Sequence, residues 1–225
     1  MTIKDLIEIY ESKKVKFGNE TYKYISQIFE EAKQKHKNFA LQKGLSDTEQ
    51  SWRAFKGKNL EKLIEYIIAD SVRNLGLEII NGNKLEKTKN LPKNLEIIKR
   101  NLCVDYGEFG MHLPDVDMVI FEPKSLKIIA VLSSKVTLRE RIAQTGYWKL
   151  KLLESSITKH IKVFFITLDE DETLRIKNPA KKGRAICEID TDGCYILTNA
   201  AFEPSKKVKL FCDFVDDLKN ISRVT

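Results

Sequence analysis

Leu113-Pro114-Asp115-Val116-Asp117-Met118-Val119-Ile120-Phe121-Glu122-Pro123-Lys124-Ser125-Leu126-Lys127-Ile128-Ile129-Ala130-Val131-Leu132-Ser133-Ser134-Lys135 is the stretch from which the rest of this 225-residue chain can be read. Two apolar runs rich in β-formers, Met118 to Phe121 and Leu126 to Leu132, flank Glu122-Pro123-Lys124-Ser125, whose composition suits a tight turn. The spacing predicts an antiparallel hairpin. Because side chains alternate along a strand, Asp115 and Asp117 share one face, and Ser133 and Lys135 share one face of the other strand. A hairpin that brings those faces together converges at least one carboxylate and one amine at its open end.

Working outward, the hairpin is preceded by a mainly helical third. Leu6, Ile7 and Tyr10 space one apolar stripe; Tyr22, Ile25, Ile28 and Phe29 a second; Leu60, Leu63, Ile64, Ile67 and Ile68 a third. Leu77 to Ile80 reads as a short strand. The Lys- and Asn-rich stretch with Gly82 and Pro92 reads as a loop, and Leu95 to Leu102 fits helix or strand equally. Beyond the hairpin, Thr137 to Ser155 has helical spacing and Ile161 to Leu168 is a nearly all-apolar strand of the kind buried on both faces. Asp169 to Arg184 is polar and loop-like, Tyr195 to Leu197 suits one more strand, and Val208 to Ile221 a closing amphipathic helix. The expected fold class is α/β (α+β): a mixed central sheet flanked by helices, with the hairpin carrying the site. No internal repeat is present.

Composition sets the outer bounds. A hydrophobic fraction of 42% with 32% charged residues is ordinary for a globular chain. The net charge of +7 and pI near 9.1 favour approach to a polyanion without identifying it. No run approaches the roughly 18 to 20 apolar residues of a membrane span, and the first residues lack the pattern of a secretory signal, so a cytoplasmic location without a membrane partner is expected. Cys103, Cys187, Cys194 and Cys212 form no CxxC pair, which argues against a zinc knuckle or disulfide scaffold.

Carboxylates beside a lysine are the set that phosphodiester cleavage needs. A hard divalent ion on carboxylate oxygens neutralises charge developing at phosphorus and acidifies a bound water, while the lysine orients the nucleophile or stabilises charge. One carboxylate holds magnesium poorly. Ser133 stands where a second acid would complete the set, so another must come from elsewhere, and Glu61, on the helix of the third stripe, is the candidate.

Gly57 followed by Leu60-Glu61, then Pro114-Asp115, Ser133-x-Lys135 and Arg139-Glu140-Arg141 resembles the PD-(D/E)xK type II restriction endonucleases that recognise sites containing CC/GG dinucleotides. The resemblance covers roughly residues 50 to 150. It implies residues 1–50 as a helical N-terminal region and 51–225 as the nuclease domain, joined in one compact unit. It also implies Asp115 as the main metal ligand, Glu61 as its partner in the metal site and Lys135 as catalytic, with Ser133 in the second acid's place; Asp117 is the alternative ligand should that set prove incomplete. Magnesium is the implied cofactor, with no nucleotide cofactor; double-stranded DNA is the implied partner. Arg139, Glu140 and Arg141 would read bases; Gln144, on the same helix, reads as a surface glutamine with a further DNA contact as the alternative. The base-reading role has its own chemistry: Arg donates two bonds to guanine O6 and N7, and Glu accepts from the cytosine amino group. A palindrome cut on both strands calls for a homodimer. In one respect the chain departs from the pattern. Relatives with Ser in the signature often carry a compensating Glu on the following helix, where this chain reads Gly146-Tyr147-Trp148-Lys149.

Each element has a plainer reading. Pro-Asp is common in turns, a strand-end Lys is usually solvated, and Thr137-Leu138-Arg139-Glu140 fits a capping box. His112 beside the Pro-Asp pair reads as structural rather than as a general base. Two other functions compete: a repair or junction-resolving nuclease on the same core, which has little use for a glutamate in the groove, and an inactive DNA-binding module that lost its acid at position 133.

Overall fold

The computed structural model describes residues 1–42, 44, 47–138 and 141–224. In chain order, α1 (Ile3–Phe17), a 3-10 helix (Gly18–Tyr24), α2 (Ile25–Gln42) and α3 (Thr48–Asn74) precede β1 (Glu78–Asn81). Then come α4 (Gly82–Lys87), α5 (Lys93–Leu102), β2 (Val104–Asp105), a 3-10 turn (Gly107–Phe109) and β3 (Met111–His112). The chain continues through β4 (Met118–Phe121), β5 (Ile128–Lys135), α6 (Arg141–Leu153), β6 (Lys162–Thr167), α7 (Lys182–Asp190), β7 (Gly193–Ile196), β8 (Val208–Leu210) and α8 (Asp213–Val224).

Six strands form one sheet in the order β1-β4-β5-β6-β7-β8. The β1–β4 and β4–β5 pairs are antiparallel and the remaining pairs parallel, so the sheet is mixed as expected. Every residue of β4 is buried, and period-two alternation sends its side chains to opposite layers. Met118 and Ile120, with Ala130, Leu132, Phe164 and Ile166, pack on α1, α2, α3 and α8. Val119, Val131 and Val163 pack on α4, α5 and α6. The sheet is therefore covered on both faces, which explains the continuous apolar run at β6.

Among the helices, α3 does most to position the site. Asp47 caps it, accepting from Gln50 N at 2.8 Å. Leu60, Leu63, Ile64 and Ile68 sit in the sheet's core, each side chain worth about 1.5 to 3 kcal/mol of burial. Docking that stripe fixes the rotation of the helix and turns Glu61 toward the end of β5. The helix starts at residue 48 and carries the chain across the boundary expected near 50.

Several expectations are corrected. The supposed loop at Gly82 is α4, formed because Leu85 docks fully buried beneath the sheet. Leu95 to Leu102 is helical, with Ile98 and Leu102 buried four residues apart. The closing helix is divided: Val208–Leu210 pairs in parallel with Cys194–Ile196, and the helix runs only from Asp213, burying Phe214 and Leu218. Tyr22 belongs to the 3-10 helix rather than to α2. The loop after Asp169 ends earlier than expected, where α7 starts at Lys182. Among the described residues α6 runs from Arg141, and Thr137 and Leu138 are not helical, because the backbone there is tied elsewhere: Glu170 N donates to Val136 O at 3.3 Å and Leu138 N to Asp171 Oδ1 at 3.3 Å.

Gly82 holds the segment before β4. Its N donates to Asp117 O at 2.9 Å, and a Cβ built on it would lie 1.8 Å from Val116 O, so only glycine fits. Among the described residues no helix is long and apolar enough to cross a membrane.

Candidate active site

The site forms where β4 and β5 separate, at the C-terminal end of β5. Met118 faces Leu132 in the ladder and Asp117 N donates to Leu132 O at 2.9 Å, which sets Asp117 beside Ser133. The Asp117 side chain is buried, and its Oδ2 accepts from Ser134 N at 2.6 Å and Ser134 Oγ at 3.2 Å. Those two bonds fix the carboxylate before any ligand arrives. Lys135 Nζ then donates to Asp117 Oδ1 at 3.1 Å and Oδ2 at 3.0 Å, and lies 3.5 Å from Glu61 Oε1 on α3.

Two carboxylates thus share one ammonium. Glu61 registers the imbalance: burial first, and then the negative charge of Asp117, push its carboxyl from the ordinary 4.5 up to about 7, against the opposing pull of Lys135. A group so placed is short of positive charge.

The two aspartates of the hairpin's leading strand part company here. Asp117 joins Glu61 and Lys135. Asp115 is exposed, and its Oδ2 accepts from Gln144 Nε2 on α6 at 2.9 Å. The order expected of the pair is therefore reversed in the geometry, because the residue directly preceding β4 reaches the lysine and the one two positions earlier does not. Ser133 is 6% exposed beside the site, without a carboxylate. Arg139 and Glu140 lie outside the described residues. Arg141 opens α6, exposed, with Nη1 3.5 Å from Gln144 Oε1. His112 is exposed and bonded to Phe109 O, away from the lysine. In the stretch Gly146 to Lys149 no carboxylate is present, and Lys149 is turned to the opposite end of the sheet, 2.6 Å from Asp192. Ser134 was missed by sequence reasoning; its adjacency to Lys135 was the one signal available, since its amide lies on the strand end that Asp117 reaches.

The donor set fits a hard divalent cation. Both available ligands are carboxylate oxygens, and a cation between them would offset the burial that chiefly raises the Glu61 carboxyl and the repulsion from Asp117 that adds to it. Among the described residues there is no group of three or more His, Cys, Asp or Glu side chains placed to hold a metal; the carboxylates beside Lys135 that would hold one are Glu61 and Asp117. Magnesium commonly keeps several waters and takes one or two carboxylates.

Comparison with known proteins agrees with this fold. The family model described as BsaWI restriction endonuclease type 2 matches residues 94–217. MjaVIP of Methanocaldococcus jannaschii, assigned as a type II restriction enzyme, is 35% identical over 89% of this chain and 94% of its own. HpyAORF263P of Helicobacter pylori, likewise assigned, is 33% identical over 72% of this chain and 88% of its own. Among solved structures, a pre-specific BsaWI–DNA complex superposes with a TM-score of 0.51 at 16% identity, covering 98% of this chain and 91% of that one. A PspGI–substrate DNA complex gives 0.51 at 17% identity over 91% and 78%. The matched family segment contains the hairpin, Asp117, Lys135 and α6, and from these agreements the chain belongs to the BsaWI family of type II restriction endonucleases, site-specific enzymes that cleave DNA internally.

Proposed function

We propose that this enzyme is a magnesium-dependent homodimer that hydrolyses both strands of duplex DNA at a palindromic site containing GG/CC steps. The observation that carries the reading is the cluster of Asp117, Glu61 and Lys135, in which two fixed carboxylates exceed the single cation beside them. Asp117 and Glu61 would hold the ion, which when bound stabilises charge at phosphorus and acidifies a water. Asp117 enters already oriented by Ser134, so no ordering cost falls on ligand binding. Lys135, held between the two acids, presents its ammonium to an approaching phosphate oxygen and counters the charge that builds there. Arg139, Glu140 and Arg141 read the G·C step, and Gln144 ties Arg141 to Asp115 at the groove-facing start of α6.

The test is digestion of a long duplex of known sequence with magnesium present and with magnesium chelated, followed by sequencing of fragment ends. Discrete fragments sharing a G·C-containing palindrome, seen only with the ion, are expected. Uncut DNA in both lanes from a folded, DNA-binding protein overturns the reading. Sedimentation on the cognate duplex should give a protein dimer.

A further inference from the structure

Residues 169–172 read Asp-Glu-Asp-Glu, four consecutive acids in a chain of net charge +7. A solvated acidic turn near a DNA-facing edge would repel the substrate. Instead, three of the four acids are turned to the protein. Asp169 accepts from Thr173 N at 2.9 Å and from Leu174 N at 3.0 Å, which closes the loop on itself. Glu170 pairs with Lys56, a lysine only 7% exposed, on the same helix as Glu61. Asp171 accepts from Leu138 N, while Glu170 N donates to Val136 O, the residue following Lys135. Glu172 is exposed and pairs with Arg175 at the surface.

The loop therefore grips the backbone on the approach to Arg139-Glu140-Arg141. The residues bracketing that triplet are anchored too: Leu138 is 0% and Ile142 1% exposed, in one cluster with Phe165, Leu174 and Cys187. Gly183 approaches so closely that a Cβ would lie 2.6 Å from Thr173 Cγ2 and 3.6 Å from both Leu138 and Ile142. The described residues that flank positions 139 and 140 are therefore held from both sides.

We propose that Asp171 and Glu170 are positioning residues for base reading: Asp171 fixes the start of the reading segment through Leu138 N, and Glu170, anchored by Lys56, fixes that segment relative to Lys135. The proposal rests on the base-reading role of the triplet. It predicts that loosening these contacts costs discrimination more than it costs cleavage of the correct site, because Asp117, Glu61 and Lys135 stay in place.

The experiment measures kcat/KM on the cognate duplex and on duplexes with one G·C pair replaced. Asp171→Ala should lower the ratio between them about tenfold, while Asp171→Asn, whose Oδ1 still accepts from Leu138 N, should stay within about twofold of the parent. Glu170→Gln, which keeps the side chain's size and one acceptor but removes the charge paired with Lys56, should lower the ratio about threefold and decides the matter if Asp171→Ala does not fold. A parental ratio in both Asp171→Ala and Glu170→Gln, or an equal loss on every duplex, overturns the proposal. Arg141→Ala and Arg139→Ala separate the two readings. If they lose selectivity at a G·C pair and the loop variants do not, the positioning role alone falls; if they too discriminate normally, the base-reading role falls and the proposal with it.

Discussion

Two ion clusters sit at opposite ends of β6, about 17 Å apart by the rise of a strand, and they are electrostatic opposites. At the C-terminal end, Glu61 and Asp117 share Lys135; at the other, Lys149 and Lys162 share Asp192. The second cluster is closed. Asp192 also accepts from Val163 N at 2.8 Å, and Lys149 Nζ donates to Ile161 O at 3.3 Å, so its charges and bonds are spent tying α6 to the sheet. The first leaves a carboxylate whose pKa is displaced upward. Surplus positive charge distributed over hydrogen bonds is architecture, whereas surplus negative charge facing an open strand end is a demand for a cation.

Four substitutions break or sharpen that contrast. Asp117→Asn, which keeps an acceptor for Ser134 N but removes the charge, should lower single-turnover cleavage of cognate duplex about a thousandfold, in the range seen when transition-state electrostatics are lost. Lys149→Met should act on stability alone: unfolding in urea should show a loss of about 1 to 3 kcal/mol, as for a partly buried pair with a second cation still present, while cleavage well below the melting temperature holds. Glu61→Gln should uncouple the two properties. Because the folded-state pKa of about 7 lies above the ordinary 4.5, the folded protein loses stability as pH climbs from 4.5 through 7. Removing the charge should therefore raise metal-free stability at pH 8 by about 1 to 2 kcal/mol, flatten that pH dependence and abolish cleavage. The smallest effect belongs to Asp115→Asn, an exposed position, where cleavage should stay within about threefold of the parent. A loss there matching that of Asp117→Asn would return Asp115 to the centre of the site.

The hairpin was legible because its cues are local: two β-rich runs, a proline turn and polar residues at both open ends. Helix α3 was legible because a stripe from Leu60 to Ile68 repeats at helical spacing over several turns. What failed was long-range. Val208 to Leu210 reads as the start of a helix until a neighbouring strand edge is available to pair with, and nothing nearby in sequence announces Cys194–Ile196 as that edge. The choice between Asp115 and Asp117 turned on register. Two residues on one face differ only in how far along the strand the partner's lysine falls, and the Met118–Leu132 pairing decides it. The acidic loop 169–172 was legible only as part of a polar, loop-like stretch because its partners, Lys56 and Leu138, lie 114 and 33 residues away.

Gly82 has no chemistry to offer, yet its contact with Val116 O gives it a genetic signature. An enzyme that cuts duplex DNA is lethal to a cell whose own sites are unprotected, so growth under forced expression selects inactive alleles. Substitutions at codon 82 should be recovered among the survivors beside those at Asp117 and Lys135, and alanine should be no safer there than a bulky residue, since the first carbon added already collides. Catalytic codons in such a collection would yield folded, silent protein. Codon 82 would yield protein whose fault is the path of the backbone leading into Asp117.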